Sequence, residues 1–170
     1  MPIAFYISAL IAIGATLLTV TRYNAIHALL YLVVSLLAVA VVFYTLGAPF
    51  AAALEVIIYA GAIMVLFVFV VMMLNIADMA GRERRWLNAR MWIGPGAMSL
   101  VLFGEIIYML IAGPVKAQPV HYVGPAAVGV ALYTRYVLAV EIASMLLLAG
   151  LIGAYHLGRR DRGRRPGREA

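Results

Sequence analysis

Five stretches of about twenty or more residues run through this sequence almost without charge, at 2–21, 26–46, 49–76, 91–113 and 134–157. Each is long enough to cross a hydrocarbon core of about 30 Å as an α-helix. Only 12% of the residues are charged, against about 25% in ordinary soluble domains, so this much apolar surface needs lipid. The expected fold is an all-α transmembrane, five-span helical bundle over residues 1–157, followed by a basic tail at 158–170. The spans leave no room for a separate soluble domain. The first, over residues 2–20, has no basic residue ahead of it and runs longer than a usual signal-peptide core, so it reads as a retained span.

Arginine placement sets the expected orientation, because basic residues accumulate on the cytoplasmic side of a membrane. Arg22, Arg82, Arg84, Arg85, Arg90 and six arginines of the tail share one side, while the other holds only Lys116 and Arg135. The tail is therefore expected in the cytoplasm and, five being odd, the N-terminus outside. Tyr6, Tyr23, Tyr44, Trp86, Trp92, Tyr133 and Tyr155 lie near span ends, as an interfacial aromatic belt requires. The tail arginines follow directly on a hydrophobic segment, which reads as a topology signal and anionic-lipid contact and not as a nucleic-acid patch.

Absent residue types narrow the chemistry. The chain has no cysteine, so it can supply neither thiolate catalysis nor cysteine ligands to iron–sulfur clusters. No phosphate loop, zinc-ligand spacing or nucleophile elbow occurs. His27 and His156 fall near one membrane face, but histidines at helix ends are commonly interface residues, and a haem-ligand pair is not the reading adopted. No internal repeat of the kind seen in alternating-access transporters is visible. In the fifth span, Ala139 with Ala143 and Ala149 with Gly153 have the four-residue spacing that allows close helix contact, within the bundle or with another subunit.

Three carboxylates lie inside spans: Glu55, Glu105 and Glu141. An acid on a transmembrane helix is costly and by default suggests an ion or proton path. The competing reading is an interfacial group that snorkels to water or pairs with a neighbour, and it is preferred for Glu105. The third span is unusual in its length. As a straight helix, residues 49–76 would measure about 42 Å at 1.5 Å per residue, well beyond the hydrocarbon thickness, so it must tilt, protrude or deform. Within it, Tyr59 and Gly61 sit among alanines, and Glu55 lies four residues before Tyr59 on the same helical face. This is either a polar element able to change shape or a tight packing notch with an interfacial tyrosine. Taken alone, the residues favour the notch.

The run LEVIIYAGAIMVLFVFVVMMLN over residues 54–75 closely resembles the J-subunit family of bacterial proton-pumping NADH:quinone oxidoreductase, respiratory complex I. The resemblance extends to NAIHALL over 24–30 and YVLAVEIASMLLLAG over 136–150, and covers all five spans. It implies an accessory subunit of the membrane arm in the bacterial inner membrane, beside small three-span subunits and the quinone-module subunit. It also implies a π-bulge in the third span, marked here by Tyr59, Gly61, Met64 and Val65, whose rotation opens and closes a water path. Glu55 and Glu141 match family acids as proton-path candidates, whereas Glu105 lies in no matching string. No catalytic, cofactor-binding or metal-binding residue is expected in this chain. FMN, iron–sulfur clusters and quinone are expected on other subunits. Two other readings are a subunit of a multisubunit cation/proton antiporter and a passive scaffold.

Overall fold

The computed structural model describes residues 2–73, 90–111 and 123–158. Among them are seven α-helices and one π-helical segment, and no strand. In chain order these are α1 (Pro2–Thr21), α2 (Ala25–Thr45), α3 (Pro49–Leu54), the π segment (Glu55–Ile63), α4 (Met64–Met73), α5 (Arg90–Ile111), α6 (Pro125–Thr134) and α7 (Val137–Gly158). Among the described residues, five helical stretches are long and apolar enough to cross a membrane, with α3, the π segment and α4 together making the third. The chain forms two compact units, Met1–Gly124 and Pro125–Ala170.

In the first unit α2 is the central element, and α1, α3, the π segment, α4 and α5 all contact it. Asn24 starts it, its side-chain oxygen accepting from the N–H groups of Ile26 at 3.0 Å and His27 at 3.4 Å, donors that no helical carbonyl can satisfy. The other end closes with Gly47 in the left-handed region at φ 82°. There the Gly47 N–H reaches the Tyr44 carbonyl and the Ala48 N–H the Phe43 carbonyl, a glycine-capped helix end. Pro49 then opens α3, where its fixed φ suits a first turn.

Small residues let α1 and α2 approach closely. Ala12, Ala15 and Ala38 are buried with Tyr31, Val34, Val41 and Leu102 in one core, and at such contacts van der Waals packing holds membrane helices together. Hydroxyls supplement it: Thr16 and Ser35 lie 2.7 Å apart at their oxygens, and Ser35 also donates to the Ala12 carbonyl. Helix α5 lies antiparallel to α1, since Glu105 meets Ser8 and Met98 lies beside Gly14.

Helix bounds differ from the expected spans by a residue at several ends, the fourth beginning at Arg90 and the fifth ending at Gly158, and more widely in the fifth span. The second span begins at Ala25 and ends at Thr45, one residue earlier at each end. The fifth begins at Val137 and not at 134, and a separate ten-residue helix, α6, precedes it. The break falls where Arg135 and Tyr136 both donate to the Ala131 carbonyl, ending α6 before α7 begins. Residues 74–76 of the third span, 112–113 of the fourth, and Arg82, Arg84, Arg85, Lys116 and the tail arginines lie outside the described residues.

Candidate functional site

Over Glu55–Ile63 the backbone winds as a π-helix, with i→i+5 hydrogen bonding. Entry is ordinary: the Glu55 N–H still reaches Ala51, four residues back. At the exit the Met64 N–H bonds to the carbonyl of Tyr59, five residues back, and also to that of Gly61, three back. Gly61 sits within this wide turn. A Cβ built on it would lie 3.2 Å from the Val56 carbonyl oxygen, so glycine lets that carbonyl close up against residue 61 where a side chain would press on it.

The four expected markers of this element take different positions. Met64 is buried, the first residue after the wide turn. Tyr59 and Val65 are exposed in the first unit, and Gly61 is partly covered. Glu55, the first residue of the π segment, is half-buried, and no side-chain hydrogen bond joins it to Tyr59. Val56 also lines an apolar groove of about 830 Å³, shared with Leu37, Tyr44, Ala52 and Phe103. The wide turn therefore forms part of a groove wall. Glu141 belongs to the second unit, in the first turns of α7, where it is exposed and its backbone carbonyl accepts from the Ser144 hydroxyl.

Glu105, expected to snorkel to water or pair with a neighbour, is paired. It is only 9% exposed, and Ser8 Oγ, itself wholly buried, donates to its Oε2 at 2.7 Å. The pair joins residues 97 apart in sequence, so no local pattern could reveal it. Near the other end of α1 lies a ring cluster. The Tyr31 ring is 5.0 Å from that of His27, and the Arg22 guanidinium stands 5.6 Å above it, within cation–π range.

Comparison with known proteins adds a family to this geometry. Residues 15–157 match the family described as NADH-ubiquinone/plastoquinone oxidoreductase chain 6. Among curated relatives, the NADH-quinone oxidoreductase subunit J of Pseudomonas aeruginosa is 55% identical over 163 residues, covering 95% of this chain and 98% of the relative. The protein of the same name in Escherichia coli is 53% identical over 95% of this chain and 89% of its own. That of Buchnera aphidicola from Schizaphis graminum is 44% identical over 94% and 98%. With five apolar helices of spanning length, the chain is a multi-pass membrane protein, and it belongs to the family of NADH-ubiquinone/plastoquinone oxidoreductase chain 6.

Proposed function

We propose that this chain is a J-type subunit in the membrane arm of a bacterial respiratory complex I, where it helps couple electron transfer from NADH to quinone with proton translocation. Its own part is conformational. The third span switches between the π-wound packing and a straight α-helix, and the switch opens and closes a water path. The observation that carries this reading is the π segment itself, with Gly61 set against the Val56 carbonyl inside it. Exchanging i→i+5 for i→i+4 bonds nearly conserves the number of backbone hydrogen bonds. The two windings can then lie close enough in energy for the quinone site to bias them.

In this reading Tyr59, Gly61, Met64 and Val65 form the moving element, and Glu55 and Glu141 belong to the proton path. The partners are the small three-span subunits, the quinone-module subunit and anionic lipids. FMN, iron–sulfur clusters and quinone reside on other subunits. The chain sits in the inner membrane with its N-terminus outside and its arginine tail in the cytoplasm.

Gly61→Val tests the switch. It should depress quinone-linked NADH oxidation while NADH oxidation by a soluble acceptor stays intact, because only the coupled route passes through this span. Normal turnover and pumping in the assembled variant would sink the switching role. Glu55→Gln tests the path separately: protons pumped per NADH should fall, and unchanged pumping in fully assembled complex would return Glu55 to an interfacial role.

A further inference from the structure

The groove of about 830 Å³ in the first unit lies between α2, the start of the third span and α5. Val41, Ala52 and Leu102 form its buried floor, and Leu37, Tyr44 and Phe103 stand on its exposed rim. Its size is that of a ligand site, which typically measures about 300–1,000 Å³. Among the described residues that line it none is charged, and the hydroxyls of Tyr44 and Ser99 are the polar side-chain groups on its walls. An apolar recess of this kind does not hold water. In a membrane it is filled by hydrocarbon or by protein.

Its placement along the helices decides between the two. Tyr44, Pro49 and Leu110 line it together, and each stands within one residue of a helix end, α2 closing at Thr45, α3 opening at Pro49 and α5 closing at Ile111. From that end the walls run inward to Leu37 on α2, Val56 on the third span and Gly96 on α5, about 12, 10 and 22 Å at 1.5 Å per residue. The groove is thus walled on three sides over about 10 Å, and α5 alone carries it deeper. One leaflet supplies about 15 Å of a hydrocarbon core of about 30 Å. A spanning helix crosses the whole thickness and needs a seat along all of it, whereas a lipid tail occupies one half. At the deep end a Cβ built on Gly96 meets nothing within 4 Å, so space remains there for the tip of a chain. Tyr44 stands at the open end, as aromatic side chains do at head-group level.

We propose that this groove is a lipid site, taking one acyl chain of a bilayer phospholipid lengthwise, with the head group beside Tyr44 and the second chain left in the bilayer. Hydrocarbon suits walls that offer no charge, and the chain runs parallel to the helices as its neighbours in the leaflet do. Val56 joins the site to the third span, since it walls the groove and its carbonyl oxygen stands 3.2 Å from a Cβ built on Gly61. The bound lipid therefore lies against the start of the wide turn. The site itself rests on no reading of what the third span does.

A density map of the intact assembly, purified with its native lipid, tests the site directly. The expected result is an unbranched tubular density that starts at a phosphate head group beside Tyr44 and runs inward past Val56. Helical density with side chains, from whichever chain, would overturn it, as would a tail without a phosphate head or a groove closed by packing. These outcomes are read whichever subunits co-purify, so they stand even if the complex I reading fails. A pair of variants tests the site by a second route. Ala53→Phe puts a ring into the groove from an exposed wall position, and Leu54→Phe adds bulk at the next residue, which is exposed but does not line the groove. Native mass spectrometry should find one phospholipid fewer per complex in Ala53→Phe and the wild-type number in Leu54→Phe. An unchanged number in Ala53→Phe, or an equal loss in both, would overturn the site. The map requires no variant and still decides if Ala53→Phe does not assemble.

Discussion

A Cβ built on Gly94 would overlap the Tyr31 hydroxyl and lie 3.1 Å from the ring carbon that bears it. Tyr31 has little room to retreat, being 3% exposed and in contact with the His27 ring and the Arg22 guanidinium. Gly94→Ala should therefore overpack the α2–α5 contact at a cost of about 1–3 kcal/mol, read as a lower melting temperature of the assembled complex. Adding Tyr31→Phe, which removes only the oxygen, should recover part of the loss. A Gly94→Ala complex that melts like wild type would show that Tyr31 is not wedged there. Sequence patterns reveal none of this, because the contact depends on which face of α5 meets α2. The same limit hid the partner of Glu105: pairing with some neighbour was expected, but that the neighbour is Ser8 depends on how α5 packs on α1. Asn24 and Gly47 act locally, and their roles follow from residue type and neighbours alone.

The spanning helices were legible because length and apolarity suffice to mark them. Helix α6 was not, since ten residues behind the Pro- and Gly-rich stretch from 113 to 125 look like the remainder of a loop. The winding of the third span was equally hidden from periodicity, because a stretch apolar on every side carries no phase from which a wider turn can be read. Its excess length predicted some deformation, and only the resemblance suggested a π-bulge. A turn closed by i→i+5 bonds holds one residue more than an α-turn. Deleting Ala60 should then let residues 55–63 wind as α-helix while α4 keeps its face toward α2. In assembled complex this variant should retain NADH oxidation by a soluble acceptor and lose quinone-linked proton pumping. Full pumping would mean that the span works without its wide turn.

At the scale of the molecule, charge and hydrophobicity act together to decide which way the helices run. Eleven of the thirteen Lys and Arg residues fall on one side of a five-span threading, and each resists transfer across a membrane whose cytoplasmic side retains them. An even number of crossings would put the N-terminus on the same side as the tail. Because the chain has no cysteine, single cysteines at Ile3 and Gly158, both exposed positions near opposite ends of the described chain, report the two termini independently. In spheroplasts a membrane-impermeant maleimide should label Ile3→Cys and spare Gly158→Cys, and in inverted vesicles the pattern should exchange. Labelling of both from one side would mean an even number of crossings, whereas a reversed pattern would keep five and invert the arginine argument. The expected pattern places the α1 start and the α5 end on the outer face.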